Sequence, residues 1–330
     1  MNASWLADLT DRVIAGGDAV SAEEAVALLE CPAQELARLL GHTDRIRGHF
    51  FGTSITLCSI LNARSGLCSE DCAFCSQSSH HQCKIDVHPM MEPESILEAA
   101  RIAERLGATT FSIVTSGKGV KRGRDLEKAI LALERIGAET GLTRCASLGM
   151  ANADSLRALA EAGLRRFHHN LETAHSFYPR ICTTRGFEEN VRTIRDAKET
   201  GLEVCSGGIF GMGETPAQRV ELALVLRDLE VDSVAVNFLN PIPGTRLSDR
   251  DLLDPKDALR IVSMLRFVMP GQRIAVCGGR ERVLGDRQNA LFSAGATGIM
   301  IGDYLTTRGR SADEDLRMVH ELGLHPGEDK

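Results

Sequence analysis

Strand-like and helix-like segments alternate along this chain from residue 54 almost to its end. Short runs rich in β-branched and apolar residues, such as "SITLCSI" and "DSVAVNFLNP", are followed by amphipathic segments such as "PESILEAARIAERLG". Eight such pairs can be counted, and this alternation is typical of a parallel sheet covered by helices. We therefore expect an α/β fold, a closed (β/α)8 TIM-type barrel that spans residues 51–330 as one domain.

Glycine marks the predicted ends of most of these helices, because it readily adopts the left-handed backbone conformation that stops a helix. The predicted stops are Gly107, Gly137, Gly163 and Gly201. Residues 1–50 precede the barrel and are predicted to form an N-terminal helical extension. Within it, Ser21 and Glu24 have the spacing of a capping box, and Pro32 stands where a first helical turn tolerates proline.

The composition narrows the class of protein. The chain has 330 residues, a formal net charge of −7 and only 4% aromatic residues, which argues against a nucleic-acid partner. No apolar run approaches the roughly 20 residues that span a bilayer, so we expect no membrane partner. The N-terminus has no secretory signal pattern, and we predict a cytoplasmic location. Ten cysteines in that reducing compartment are typical of metal binding or catalysis.

Three cysteines, Cys68, Cys72 and Cys75, are crowded into "SGLCSEDCAFCSQSSHH", directly after the first predicted strand. In a barrel this loop would lie at the C-terminal mouth, where active sites form. Thiolates are soft ligands, and a structural zinc site normally needs four protein ligands. Three thiolates fit a [4Fe–4S] cluster with one iron left open for a small molecule. A zinc site completed by His80 or His81 is the alternative.

The C-x3-C-x2-C spacing, with the aromatic Phe74 before the last cysteine, resembles the radical S-adenosylmethionine (SAM) superfamily. The resemblance implies that Cys68, Cys72 and Cys75 hold a [4Fe–4S] cluster whose open iron chelates the amino and carboxylate groups of SAM. One electron would then cleave SAM to a 5′-deoxyadenosyl radical, which abstracts an unactivated hydrogen. An electron donor such as flavodoxin or ferredoxin is therefore expected.

Four further stretches closely resemble the biotin synthase family: "RFHHNLET", "CSGGIFGMGET", "VNFLNPIPGT" and "GDYLTT". The resemblance extends from about Ser54 to the C-terminus. It implies a homodimeric barrel that acts as a sulfurtransferase and inserts sulfur into dethiobiotin to form biotin. Two SAM-derived radicals would activate the two carbons in turn.

The same resemblance implies which residues bind SAM. Phe74 belongs to the cluster loop, and Thr115 and Ser116 end the second predicted strand at the edge that faces the SAM amino group. Asn170 and Glu172 match positions that contact the SAM ribose and the substrate, with Glu172 in place of a common aspartate. Asn170 could instead be a satisfied polar group of the core, since a buried amide needs a partner but not a ligand.

Residues that bind the substrate are implied by the resemblance as well. Asn237 would hydrogen-bond the ureido ring of dethiobiotin, and Thr306 and Thr307 would contact its valeryl carboxylate. Asn237 lies in an otherwise apolar strand and, like Asn170, could be a satisfied core amide. The two threonines could simply begin the last loop.

The family usually holds a second cluster deep in the barrel, a [2Fe–2S] cluster bound by three strand cysteines and one arginine and thought to be the sulfur source. Cys145 and Cys205 match two of those cysteines. However, Ser112 stands at the third cysteine position and Ala275 at the arginine position. Half of the usual ligand set is therefore absent.

Two extra cysteines, Cys58 and Cys277, stand in the first and seventh predicted strands and could face the same cavity. Four thiolates suit a four-iron cluster better than a two-iron one. We hypothesise an auxiliary four-iron cluster whose extra sulfur is donated, with the ligands Cys58, Cys145, Cys205 and Cys277. The alternative is that some of these thiols are small buried core residues. The remaining cysteines, Cys31, Cys83 and Cys182, are interpreted as incidental.

Two other functions are compatible with the three-cysteine loop. Another radical SAM barrel enzyme, such as a hydrogenase-cofactor maturase, would share the loop and the fold. A non-catalytic iron–sulfur sensor would share the cluster but would not turn SAM over. The elements "HHNLET" and "LTT" favour the sulfur-inserting enzyme over both.

Replacement of Cys72 by alanine is expected to abolish reductive cleavage of SAM, because one iron of the cluster loses its thiolate. The measurement is the yield of 5′-deoxyadenosine under anaerobic reducing conditions. A full yield from Cys72→Ala would refute the ligand assignment.

Overall fold

The computed structural model describes residues 3–120 and 123–327, and it confirms the predicted barrel. Eight parallel strands pair in chain order, and the first pairs with both the second and the eighth, which closes the sheet. The strands are β1 (Ser54–Arg64), β2 (Thr110–Thr115), β3 (Thr143–Ser147), β4 (Arg166–His168), β5 (Glu203–Phe210), β6 (Ser233–Phe238), β7 (Arg273–Val276) and β8 (Gly298–Met300). A two-residue strand, β9 (His325–Pro326), adds to the start of β1 outside the barrel.

Helices surround this barrel, and they bury apolar faces against the strands or against neighbouring helices. In the helix after β1, for example, Ile96, Leu97 and Ala100 are buried at helical spacing. The helices are α1 (Ala3–Ile14), α2 (Ala22–Leu29), α3 (Leu36–Phe51), α4 (Pro93–Arg105), α5 (Arg124–Glu139), α6 (Ala153–Glu161), α7 (Phe187–Glu199), α8 (Pro216–Asp228), α9 (Pro255–Val268), α10 (Arg280–Leu284), α11 (Ala290–Ser293) and α12 (Ala312–Glu321). No helix in the described ranges is long and apolar enough to cross a bilayer.

Three of the four predicted glycine stops lie directly beyond helix ends. Gly107, Gly163 and Gly201 follow α4, α6 and α7 with positive φ angles of 86°, 84° and 81°. Gly137 is different, and the predicted stop there is wrong, because α5 continues to Glu139. Gly137 instead makes room for a side chain: a Cβ there would lie 2.1 Å from Nη1 of Arg144 on β3.

The first three helices precede the barrel and pack on it. The side-chain oxygen of Ser21 accepts a hydrogen bond from the N–H of Glu24, and the Glu24 carboxylate accepts one from the Ser21 N–H, so the predicted capping box is present. α2 and α3 both pack against α9, and Leu28, Leu39 and Ile46 are fully buried. Their side chains belong to the same core as the barrel interior and its helices.

A buried ion pair fixes the C-terminal rim of the barrel. The guanidinium of Arg280 on α10 donates to the carboxylate of Asp315 on α12, and both side chains are fully buried. Arg280 also donates to the side chain of Gln288 and to the carbonyl oxygen of Met300, the last residue of β8. The single guanidinium thereby joins two helices and a strand end.

Replacement of Asp315 by alanine is expected to lower the free energy of unfolding by about 3–5 kcal/mol, because the Arg280 charge stays buried without its partner. Chemical denaturation monitored by circular dichroism measures this loss. The matched control is Asp313→Ala, an exposed carboxylate on the same helix turn, for which we expect a change below about 1 kcal/mol. Equal losses from the two variants would contradict the role given to the pair.

Candidate active site

One cavity of about 430 Å³ runs from the C-terminal mouth of the barrel into its interior. It brings together residues from β1 through the loop after β8. Every residue assigned to a site from the sequence lines it: Cys58, Cys68, Cys72, Phe74, Cys75, Thr115, Ser116, Cys145, Asn170, Glu172, Cys205, Asn237, Cys277, Thr306 and Thr307. A position at the C-terminal ends of parallel strands is where barrel enzymes carry out their chemistry.

The three-cysteine loop follows β1 and folds back on itself at the mouth. The N–H of Cys68 donates to the carbonyl oxygen of Gln77 at 3.0 Å, and the carbonyl oxygen of Cys68 accepts from the N–H of Ser79 at 2.8 Å. The N–H of Cys75 donates to the carbonyl oxygen of Cys72 at 3.0 Å, which forms a tight turn between these two thiols. Backbone hydrogen bonds therefore hold all three cysteines at the cavity wall.

The donor set of this loop fits an iron–sulfur cluster better than zinc. Within residues 3–120 and 123–327, no three His, Cys, Asp or Glu side chains converge as a single metal ion requires. The thiolates of a four-iron cluster need not converge, because each binds a different iron. The ring nitrogens of His80 and His81 lie 3.0 Å and 2.8 Å from the backbone carbonyl oxygens of Ser69 and Cys75. The zinc alternative therefore gains no support.

Of Thr115 and Ser116, the two residues expected near the SAM amino group, only Thr115 has a hydroxyl that is not already hydrogen-bonded. The hydroxyl of Ser116 donates to the carbonyl oxygen of Gly66 at 2.7 Å, so this side chain ties β2 to the cluster loop. The hydroxyl oxygen of Thr115 is buried and has no hydrogen-bond partner. Buried polar atoms are normally paired, and Thr115 is therefore the better candidate for contact with a ligand.

Asn170 and Glu172 present open acceptor atoms to the cavity. Asn170 Oδ1 and Glu172 Oε2 are both buried and have no hydrogen-bond partner. Burial raises the pKa of the Glu172 carboxyl. Glu172 has a φ of +70°, and a Cβ on Gly208 would lie 2.5 Å from its carbonyl oxygen. Glycine at 208 is therefore required for the close approach that holds Glu172 in place.

Asn237 is already hydrogen-bonded to backbone groups. Its Oδ1 accepts from the N–H of Gly278 at 2.9 Å, and its Nδ2 donates to the carbonyl oxygen of Gly208 at 3.4 Å. A substrate contact would thus add to these bonds or replace the longer one. The hydroxyls of Thr306 and Ser76 are hydrogen-bonded at 2.9 Å, and this contact joins the last loop to the three-cysteine loop across the mouth.

Three of the four strand thiols lie at one level of the barrel interior. Cys58 on β1 pairs with Thr110 on β2, and Thr110 pairs with Thr143 on β3. Cys145 lies two residues after Thr143 on the same strand. The same step across β4 leads from Cys145 to Cys205. Inward-facing residues from alternate strands share a layer of the barrel. The thiols of β1, β3 and β5 therefore face one another.

The fourth member of that layer is Ala275 on β7, which is reached from Cys205 by the same step. Cys277 follows two residues later, just beyond the end of β7, so its thiol lies closer to the mouth. Burial, together with the nearby Cys205, raises the pKa of Cys277 to about 12. Ser112 on β2 lines the same cavity. The four thiols therefore surround one space without sharing one layer.

Two residues at the site were not assigned from the sequence. Burial acts to raise the pKa of Cys205, but the charge and hydrogen-bonding capacity of His168, at the end of β4, lower it. Cys182, interpreted above as incidental, lies opposite Cys72 where residues 71–73 pair with residues 181–183, and the interaction between the two thiols raises the pKa of Cys72 and lowers that of Cys182 to about 6. Both contacts join distant parts of the chain, so no local spacing indicates them.

The barrel and the loop at its mouth define the class of protein. The profile of the Radical SAM superfamily matches residues 64–226, and that of the Biotin and Thiamin Synthesis associated domain matches residues 235–325. The fold is similar to methylornithine synthase (PylB), with a TM-score of 0.83, 22% identity and 97% of each chain covered. It is also similar to HydG, a maturase of the [FeFe]-hydrogenase, with a TM-score of 0.83, 16% identity, and 100% of this chain and 77% of HydG covered. The protein is a radical SAM barrel.

Full-length relatives identify the family within that class. Biotin synthase of Geotalea daltonii is 48% identical over 97% of both chains, and biotin synthase of Geobacter sulfurreducens is 49% identical over 96% of both. The chain belongs to the biotin synthase family, which implies a [4Fe–4S] cluster that works with SAM.

Replacement of Asn237 by alanine is expected to weaken dethiobiotin binding by about 1–3 kcal/mol, because a polar group of the substrate loses its partner. Calorimetric titration of the SAM-bound protein with dethiobiotin measures the change. SAM affinity serves as the internal control, since Asn237 is not assigned to SAM. If dethiobiotin affinity is unchanged, Asn237 serves only to fasten Gly208 and Gly278.

Proposed function

We propose that this protein catalyses the insertion of sulfur into dethiobiotin to form biotin. The observation that carries this proposal is the presence of two groups of thiols at two depths of one cavity. Cys68, Cys72 and Cys75 lie at the mouth, and four further thiols line the cavity inside, three of them on strands and Cys277 just beyond the end of β7. A substrate held between the two groups would be open to radical attack from one side and to a sulfur donor on the other.

At the mouth, Cys68, Cys72 and Cys75 would hold the cluster that binds SAM. When bound there, such a cluster would supply the electron that cleaves SAM. The acceptor atoms of Asn170 and Glu172 would bind the hydroxyl groups of the SAM ribose, since both atoms are buried and unpaired. Thr115 would contact the SAM amino group, and Phe74, within the cluster loop, packs against an apolar cluster that includes Phe177.

Between the two groups of thiols, Asn237 would orient the ureido ring of dethiobiotin. Its bond to the Gly278 N–H keeps the amide in a fixed orientation, so that Nδ2 can face the substrate. Thr306 and Thr307 would bind the valeryl carboxylate, and Asn170 could contact the substrate as well as SAM. Ser76, now bonded to Thr306, would then share that hydroxyl with the carboxylate.

Inside the barrel, we propose an auxiliary four-iron cluster bound by four thiolates. Three of them, Cys58, Cys145 and Cys205, belong to one layer, and Ala275 leaves the fourth place in that layer without a ligand atom. Cys277, two residues further along the chain, supplies the remaining thiolate. His168 would donate a hydrogen bond to the sulfur of Cys205. A larger cluster with an extra sulfide could donate that sulfur and keep its framework.

Further parts of the proposal concern the protein as a whole. The functional unit is a homodimer located in the cytoplasm, and flavodoxin or ferredoxin supplies the electrons. Residues 1–50 form the N-terminal helical extension, and residues 51–330 form the radical SAM barrel. α3 ends at Phe51, close to this division.

Two assays separate this function from its alternatives. Formation of 5′-deoxyadenosine under reductant distinguishes an enzyme from an iron–sulfur sensor. Stimulation of that cleavage by dethiobiotin distinguishes a biotin synthase from a maturase-like enzyme on the same barrel. Cleavage that is indifferent to dethiobiotin would contradict the proposed substrate.

The auxiliary cluster can be tested in a variant whose Cys68, Cys72 and Cys75 are all alanine, because that protein can hold only the inner cluster. After anaerobic reconstitution, Mössbauer spectroscopy with iron and sulfide counts is expected to show four irons. Addition of Cys277→Ala or Cys58→Ala should lower the iron count.

The matched control for those additions is Cys31→Ala, a buried thiol between α2 and α3 that does not line the cavity, which should leave the iron count unchanged. A two-iron spectrum would contradict the proposed size of the cluster. The absence of bound iron would remove the sulfur source, and with it the proposed mechanism.

A further inference from the structure

The three-cysteine loop is fastened along one side to a segment that follows β4, residues 181–184. The N–H of Ala73 donates to the carbonyl oxygen of Ile181 at 2.8 Å. The carboxylate of Asp71 accepts from the N–H of Thr183 at 2.8 Å and from its hydroxyl at 2.6 Å. The hydroxyl of Thr184 donates to the carboxylate of Glu70 at 3.0 Å. Residues 70–73 and 181–184 therefore lie side by side.

The guanidinium of Arg246 holds the two segments together from outside. It donates to the carbonyl oxygen of Asp71 at 2.6 Å and to that of Ile181 at 2.9 Å. One side chain thus bridges both backbones. The two segments are joined by backbone, carboxylate and guanidinium contacts, so their relative position is well defined.

Within this contact, two thiols face each other. Cys72 and Cys182 are both buried, with 7% and 3% of their surfaces exposed. The contacts of Ala73 with Ile181 and of Asp71 with Thr183 align the two segments antiparallel, which places Cys72 opposite Cys182. The residues next to them, Ala73 and Ile181, share the backbone hydrogen bond described above. Two cysteines can be bridged without backbone movement when their Cα atoms lie within about 7 Å of each other and their side chains do not point apart. Opposed positions on two hydrogen-bonded segments favour that geometry for Cys72 and Cys182.

We propose that Cys182 is the redox partner of Cys72: when the mouth of the barrel loses its cluster in the presence of dioxygen, these two cysteines form a disulfide. The Cys72–Cys182 disulfide occupies a sulfur that the cluster needs, so the loop cannot accept iron until a thiol reductant opens the bond. Once open, the three-cysteine loop is again complete.

The chemistry balances with dioxygen as the oxidant. Both S–H bonds break and one S–S bond forms, and the two sulfurs together give up two protons and two electrons. Dioxygen takes up both and becomes hydrogen peroxide. Reversal takes two electrons from a dithiol, which becomes a disulfide itself, through attack of a thiolate on one of the two sulfurs.

The consequence of this disulfide depends on the proposed role of Cys72 as a cluster ligand, but its formation depends on neither SAM nor dethiobiotin. The full-length protein is stripped of iron with a chelator under anaerobic conditions, and half of the sample is then exposed to air. Both halves are alkylated and digested without reduction, and the peptides are mapped by mass spectrometry.

Trypsin releases Cys182 alone in "ICTTR", residues 181–185, and Cys72 in residues 65–84. Further cleavage after Glu70 and Phe74 isolates Cys72 from Cys68 and Cys75. The expected result is a linked pair of residues 71–74 and 181–185, present in the air-exposed sample and absent from the anaerobic one. Cys182→Ser should lose this linked pair, and Cys31→Ser, which alters a buried thiol elsewhere, should retain it.

A linkage of Cys72 to Cys68 or Cys75, or alkylation of Cys182 in the air-exposed sample, would overturn the proposal. Iron uptake tests the consequence, in a Cys145→Ala/Cys205→Ala background that lacks two of the four proposed inner-cluster ligands. Air-exposed protein should lose iron uptake without dithiothreitol and regain it with dithiothreitol. Equal iron uptake by the air-exposed protein with and without dithiothreitol would refute the proposal that the disulfide prevents the cluster from being rebuilt. A failed linkage would leave the proposed sulfur insertion intact, because that activity is measured separately with SAM and dethiobiotin.

Discussion

Closure of the sheet through β1 is the constraint on which the rest of the molecule depends. β1 is hydrogen-bonded to β2 on one side and to β8 on the other, so the register of every strand is set relative to both neighbours. That register decides which side chains share a layer inside the barrel. A slip of one residue would turn the thiol of a strand from the interior to the outside. Cys58, Cys145 and Cys205 therefore face one another only because the whole barrel closes in this register.

The mouth of the barrel is organised differently, by contacts between loops. Residues 70–73 lie against residues 181–184, and Ser76 reaches Thr306 in the last loop. The Arg280–Asp315 pair fixes the rim on the C-terminal side. The three-cysteine loop is thus supported from two other regions of the chain. The positions of the inner thiols, in contrast, are set mainly by strand pairing, with Cys277 just beyond the end of β7.

The sequence predicted what depends on local pattern. Alternating strand and helix periodicity indicated the barrel, and the Ser21 capping box was readable because its two residues lie three apart. The cluster loop was recognisable for the same reason. The strand cysteines could be assigned to strands, but the level of each inside the barrel depends on pairing register, which one strand alone does not reveal. Only this register shows that Ala275, and not Cys277, lies at the level of the other three thiols inside the barrel.

Contacts across the fold could not be predicted. Gly137 looked like a helix stop, yet α5 continues past it because the glycine accommodates the side chain of Arg144 from β3. Cys182 and His168 resemble ordinary buried residues until the fold places them beside Cys72 and Cys205. Even the amide of Asn237, chosen from the sequence as a substrate contact, is partly used by the backbone around it.

The two groups of thiols become complete at different stages of the synthesis of the chain. The mouth cysteines lie within one short loop and are all present soon after β1 leaves the ribosome. The inner thiols are spread along the chain from β1 to just beyond β7, so their site exists only after nearly the whole chain has been made and the barrel has closed. Long-range contacts of this kind form late in folding. A truncated chain that ends before β7 could therefore carry the outer loop complete but would lack Cys277 inside.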